Sequence, residues 1–181
     1  MKKIVKLTFV LFLVSAVMAG VLGVVNNFTA PIIEIRQQEK TMKSYAAVLE
    51  APGYNEITDS FPELDKTITK VSETSDGTGY VFETYFSGAQ GMITMVVGVG
   101  SDFTCTGISI TAHSETSGLG AVAASSGQDG IDYRAQYVGV DANAALTKKG
   151  GTIEAITGAT ITSDVITQMV ATCIATVQAM G

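Results

Sequence analysis

From Leu7 to Val25 the chain carries no charged side chain. As a helix these 19 residues extend about 28 Å at ~1.5 Å per residue, which is enough to cross the hydrocarbon core of a bilayer. Lys2, Lys3 and Lys6 stand directly before the run. The positive-inside rule therefore keeps the N-terminus in the cytoplasm and sends the chain after Asn26 across the membrane. Val17-Met18-Ala19 resembles a small-residue cleavage site, but apolar residues continue through Val21, Leu22, Val24 and Val25. That continuation favours a retained anchor over a cleaved signal peptide. The expectation is a single-pass protein of the cell membrane, with residues 1–28 as cytoplasmic N-terminus and transmembrane helix and the remainder extracytoplasmic.

The anchor explains much of an apolar composition, with 46% hydrophobic residues, 15% charged residues and a mean hydropathy of +0.33. Such a composition excludes a disordered chain. Three of the 11 basic residues precede the span, so eight face all 17 acidic ones beyond it, a net charge of −9. A surface of that sign argues against nucleic acid as a partner, because phosphate backbones are bound through basic patches. It would also repel an acidic electron carrier such as a ferredoxin. One His and two Cys are too few for a zinc module or a cysteine-ligated iron–sulfur cluster held by this chain alone. A redox role would need an organic cofactor, and no metal site is expected. Cys105 and Cys173 read first as buried apolar residues, although the outer compartment permits a disulfide between them.

Past the span, Thr29 is placed to cap a helix with Pro31 in its first turn, and Ile32, Ile35, Met42, Tyr45 and Leu49 recur at helical spacing until Pro52-Gly53. This predicts a stalk helix packed on one side. Residues 55–75 show no clear period and read as loop, with a short helix around Pro62. Gly79 to Phe86 and Met92 to Val99 are β-rich runs joined by Ser87-Gly88-Ala89-Gln90-Gly91, a hairpin. Phe103 to Ala112 adds a third strand, giving an antiparallel meander. The Gly- and Ala-rich stretch from Ser117 to Gly130 reads as a loop long enough to be functional. A closing helix carries Val165, Ile166, Met169, Val170, Cys173, Ile174 and Val177 on one stripe, with Ser163 or Asp164 as its cap. The fold class is α+β: one transmembrane helix, a stalk and connecting segment over 29–78, and a domain over 79–181 with a central antiparallel meander flanked by helices.

Two clusters carry chemistry. Thr157-Gly158-Ala159-Thr160-Ile161-Thr162-Ser163 precedes the closing helix. Small residues there expose backbone amides, hydroxyls add donors, and a helix N-terminus supplies about half a positive charge, the makings of an anion cradle. A plain helix-capping turn accounts for the same residues. His113-Ser114-Glu115-Thr116-Ser117-Gly118-Leu119-Gly120 follows the third strand. Its spacing gives no acid–base–nucleophile order, so a hydrolase is not indicated and no catalytic residue is assigned. Exposed amides at Gly118 and Gly120 could instead meet the carbonyl oxygens of a flat heterocycle.

In sequence these clusters resemble those of the FMN-binding domain family. Thr157-Gly158-Ala159-Thr160 is similar to the family's flavinylation motif, Asp-x-x-Ser/Thr-Gly-Ala-Thr, whose last Thr carries FMN through a phosphoester. The loop from His113 to Gly120 is similar to its His-x-Glu-Thr-Pro-Gly-Leu-Gly loop. The strands from Gly79 to Val99 and Tyr133-x-x-Gln136-Tyr137-x-Gly139 also fit. Ser117 replaces the family's Pro, and Glu154 stands where the motif has Asp. The resemblance implies covalent FMN on Thr160 and a site formed with Thr157, Gly158, Ala159, Thr162, Ser163, His113, Glu115, Thr116, Gly118, Leu119 and Gly120. It also implies an FAD-using flavin transferase that installs the cofactor. Length and single-span layout favour a member working among the subunits of an Rnf ion-translocating ferredoxin:NAD oxidoreductase. The usually longer counterpart of the sodium-translocating NADH:quinone oxidoreductase is the alternative, and a free-standing extracytoplasmic flavin carrier is another. A pilin-like assembly protein, the rival class, would want an acid near the start of its apolar helix, whereas the first acid here is Glu34.

Overall fold

In the computed structural model, residues 2–61 and 64–179 are described, and they divide into two units at Lys40/Thr41. Helix α1, Lys2–Val48, contains Pro31 without a break. In the first unit, the most apolar 18 residues within Lys3–Pro31 have a mean hydropathy of 2.5 and none of them is buried. Its large apolar side chains from Ile4 to Phe28 are half or more exposed to their surroundings, as a lipid-facing helix requires. The expected new start at Thr29 is not found. Thr29 Oγ1 donates to Val25 O at 2.9 Å, one turn back, so its hydroxyl serves the helix interior instead of capping an end. The side chains of Ile32 and Ile35 and the short helix expected around Pro62 lie outside the described residues.

The second unit holds one five-stranded antiparallel sheet in chain order: β1 Tyr54–Glu56, β2 Ile68–Thr74, β3 Gly79–Ser87, β4 Met92–Gly100 and β5 Cys105–His113. The expected meander is present as β3, β4 and β5. The β3–β4 register runs from Gly79↔Gly100 to Ser87↔Met92 and closes with Gly88 N donating to Gly91 O at 2.7 Å. β1 and β2 replace the loop expected over 55–75, and they pair with each other and with β3. Alternation in β2 is broken by a register shift between Ile68 and Lys70, and β1 has only three residues, which hides both strands from a period-2 reading.

Both sheet faces are covered. Val71, Phe82, Met95 and Val97 share the main core with Ile166, Val170, Cys173 and Ile174 of helix α3, Thr160–Gln178. On the other face Tyr45 and Val48, at the end of α1, pack on Val81 and Val96. Tyr45 donates to Glu83 Oε1 at 2.7 Å, and its phenol is pushed above its ordinary pKa, first by burial. α3 is also apolar and long enough to span a bilayer, but its Ile166, Val170 and Ile174 are fully buried in the core, each contributing about 1.5–3 kcal/mol.

The expected loop from Ser117 to Gly130 is more ordered than its composition suggests. Gly120–Ala124 forms a 3-10 turn, and α2, Gln128–Ala135, starts inside the segment. Arg134 on α2 reaches back, Nη1 donating to Ala123 O at 2.7 Å and Ser125 O at 2.8 Å. Those carbonyls gain charged donors, so a segment with few large side chains is held by polar bonds. Cys105 and Cys173 are both buried and both free thiols, without the disulfide that the compartment permits.

Candidate functional site

Three segments far apart in sequence meet at one end of the sheet: the β3–β4 turn, the loop after β5, and the start of α3. Glu115 joins them. It is 9% exposed. Its Oε1 accepts Gln90 N of the β3–β4 turn at 3.1 Å, and its Oε2 accepts Thr162 Oγ1 of α3 at 2.9 Å. The Glu115 amide donates to His113 Nδ1 at 3.3 Å, which folds the loop at the strand end. Gly120 has to be glycine at this approach. A Cβ there would strike Glu115 Oε2 and come within 2.9 Å of Thr162 Oγ1.

The Thr-Gly-Ala-Thr turn is held just as firmly. Glu154 N donates to Gln136 Oε1 at 2.7 Å, and Gln136 Nε2 returns a bond to Glu154 O at 3.4 Å. Ile156 N donates to Ser163 Oγ at 3.0 Å, and Ser163 Oγ donates to Ala159 O at 3.0 Å. Between them Gly158 takes φ +77°, the left-handed region, beside Leu119. Ser163 is thus an internal tie and not the helix cap. Asp164 is not the cap either: it pairs with Lys149 Nζ at 2.7 Å and accepts Gln168 Nε2 at 2.8 Å. α3 begins at Thr160 with Ala159 as cap, and its ladder opens with Ser163 N to Ala159 O at 3.0 Å. Thr160, expected a turn ahead of the helix, is its first residue. The amides of Thr160, Ile161 and Thr162 therefore stand ahead of the helical ladder, at its positive end.

Two hollows flank this turn. The larger, about 600 Å³, is bordered by Gly118, Thr157, Tyr133, Gln136 and the carboxyl-bearing residues Asp129, Asp132 and Glu154. The smaller, about 60 Å³, lies among Glu115, Thr116, Leu119, Gly120, Gly158, Ala159 and Thr162, with Ala89 and Gln90 of the hairpin turn. The two sequence clusters are therefore one place in the fold. His113 is exposed at the end of β5, Thr157 and Gly158 are exposed, and Thr160 is half-buried. Thr162 and Ser163 are fully buried, with their hydroxyls committed to protein partners. Sequence reasoning misses the β3–β4 turn, whose glycines mark only a hairpin, and the carboxylates of α2. Tyr133, at the larger hollow, shares a bond of 2.7 Å with Tyr137, which shares one of 2.9 Å with Thr167 of α3. Both phenols are pushed above their ordinary pKa by burial.

FMN suits these residues. The larger hollow has the size of a cofactor cleft, whereas the smaller falls well below that range. The hydroxyls of Thr157 and Thr160 and the leading amides of α3 are the phosphate-compatible donors. Asp129, Asp132 and Glu154 would oppose a phosphate but can accept hydrogen bonds from ribityl hydroxyls.

The FMN-binding domain family model matches residues 88–175, which include the β3–β4 turn, both loops and most of α3. The matched segment is thus similar to an FMN-binding domain. Over 173 residues the chain is 34% identical to the G subunit of the ion-translocating oxidoreductase complex of Methanosarcina acetivorans, covering 91% of this chain and 89% of that protein. It is 32% identical over 187 residues to the G subunit of the Na(+)-translocating ferredoxin:NAD(+) oxidoreductase complex of Acetobacterium woodii, covering 92% and 87%. A third match, 36% identical over 86 residues, is to the G subunit of the ion-translocating oxidoreductase complex of Aliivibrio fischeri, covering 46% of this chain and 41% of that protein. The chain belongs to the family of G subunits of ion-translocating oxidoreductase complexes.

Proposed function

We propose that this chain is the membrane-anchored flavoprotein subunit of an Rnf-type ion-translocating ferredoxin:NAD oxidoreductase, with FMN bound covalently through Thr160. Within it, 79–181 is taken as the FMN-binding domain, 1–28 as the span, and 29–78 as the connection that adds β1 and β2 to the sheet. Its partners are the other subunits of that complex, A, B, C, D and E, the lipid around α1, and an FAD-dependent flavin transferase needed for maturation. The N-terminus lies in the cytoplasm and the domain on the outer side.

The observation that carries the reading is the half-buried Thr160 at the first position of α3, in a turn whose other hydroxyls at Thr162 and Ser163 are buried and committed. A phosphoester at Thr160 keeps its charge at the helix's positive end, worth typically 0.3–1 kcal/mol. Thr157 is exposed and lies before the αL residue Gly158, further from that end. When bound, FMN supplies electron uptake and release, chemistry that no side chain here offers. The chain's own residues bind and orient: Gly118 and Gly120 bring backbone close, Glu115 and Thr162 hold the loops together, and Gln136 and Ser163 fix the attachment turn. A covalent bond keeps the cofactor from being lost on the outer face. The test is coexpression with a flavin transferase followed by denaturing gel electrophoresis. Wild type and Thr162→Ala should fluoresce under ultraviolet light, the latter at lower yield, and Thr160→Ala should be dark. A fluorescent Thr160→Ala would overturn the attachment site.

A further inference from the structure

Buried carboxylates are costly unless their oxygens are bonded, and Glu115 is a buried carboxylate that the attachment chemistry does not use. Both of its oxygens are bonded, by partners from two different segments: Gln90 N at the hairpin turn and Thr162 Oγ1 on α3. The backbone around it is cleared of side chains. A Cβ at Gly88 would strike Oε1, and one at Gly120 would strike Oε2. Thr162 is the second residue after Thr160, so the carboxylate is tied within one helical turn of the attachment point. It also borders the small hollow shared with Gly158 and Ala159.

We infer that Glu115 is a positioning residue with two separable effects: its carboxylate pins the β3–β4 turn to the start of α3, and its fixed negative charge lowers the midpoint potential of the flavin. The inference rests on the FMN reading above. The first effect follows from the bonds. If the carboxylate is removed, the Gln90 amide loses its partner and the turn that walls the hollow is no longer coupled to α3. The second follows from Coulomb's law. A buried anion opposes the addition of electrons to a ring held in the adjoining larger hollow, whose border at Gly118 is three residues along the same loop, and water screens it poorly there.

Two substitutions separate the effects. Glu115→Gln is nearly isosteric. Its amide oxygen can accept from Gln90 N and its amide nitrogen can donate to Thr162 Oγ1, whose hydroxyl can act as acceptor. It keeps the bridge and removes the charge. Glu115→Ala removes both. The full chain in detergent, flavinylated by a transferase, is titrated for its midpoint potential, and the flavin-free chain is examined by hydrogen exchange. Glu115→Gln should keep the flavin, keep the Gln90 amide protected and shift the potential positive. Glu115→Ala should lose protection at Gln90 by at least tenfold in exchange rate. An unchanged potential in Glu115→Gln overturns the charge effect, and unchanged protection in Glu115→Ala overturns the bridge. A wild type that takes up no flavin would defeat the FMN reading instead, and the exchange result on the flavin-free chain would still decide the bridge.

Discussion

Gly120→Ala adds one methyl group at the tightest point of the site. Its Cβ would strike Glu115 Oε2 and approach Thr162 Oγ1 to 2.9 Å and Glu115 Cβ to 3.0 Å. Neither neighbour can swing aside. Thr162 is fully buried, Glu115 is nearly so, and they are bonded to each other at 2.9 Å. Overpacking of this kind costs about 1–3 kcal/mol, and parting a hydrogen bond to a charged group costs about 1.5–3 kcal/mol. The two are the same movement, so they are not summed. Alanine returns about 0.4–1 kcal/mol by stiffening the unfolded chain, because Gly120 has no positive φ to protect. The net is a destabilisation of about 2 kcal/mol. At ~3 °C per kcal/mol for a unit of this size, the melting midpoint should fall by about 6 °C. Circular dichroism melts of the full chain in detergent would read it, with Gly127→Ala as control. There a Cβ meets only Ser125 Oγ at 3.3 Å, and the midpoint should move by less than about 2 °C. If Gly120→Ala melts with wild type, the packing described around Glu115 is wrong.

Gly118 has φ +76° and open space around it, so Gly118→Val brings backbone strain without a clash and costs about 1–2 kcal/mol. Beside the larger hollow it should alter the flavin's visible absorption and potential while the covalent bond stays, and an unchanged spectrum would make the loop a mere connector. Burial pushes the Cys105 thiol up to about 12 and raises that of Cys173 as well. The reactive thiolate is therefore scarce at pH 8, and neither thiol should react with a disulfide reagent until the protein unfolds. Ile166→Ala opens the core between α3 and the sheet and should cost about 2–5 kcal/mol in denaturant melts. Protease added to right-side-out vesicles should degrade the domain, and protection there would reverse the topology.

The apolar N-terminal helix and the β3–β4–β5 meander can be read from the sequence because their signals are local: an uncharged run of membrane length, and β-branched residues around a glycine-bearing turn. β1 and β2 cannot, since three residues and a register shift leave no alternation to find. The start of α3 misleads for a local reason. Ser163-Asp164 looks like a cap, but Ser163 spends its hydroxyl on Ala159 and Ile156, and Asp164 is drawn to Lys149. The residues of the site are marked by their motif. What spacing does not supply is the bond between Glu115 and Thr162, positions 47 apart, and the hairpin turn that completes the wall. Such contacts are set by the fold and have no local signature.

The central claim is a phosphoester at one hydroxyl. Cleavage after Lys149 releases a peptide that holds Thr152, Thr157, Thr160, Thr162 and Ser163 together, so its total mass reports whether flavin is bound and its fragment ions report where. For protein made with a flavin transferase, tandem mass spectrometry should find the mass of one FMN less one water, carried by every fragment that includes Thr160 and by none that lacks it. The same increment localised to Thr157, or an unmodified peptide from a chain exposed to an active transferase, would contradict it.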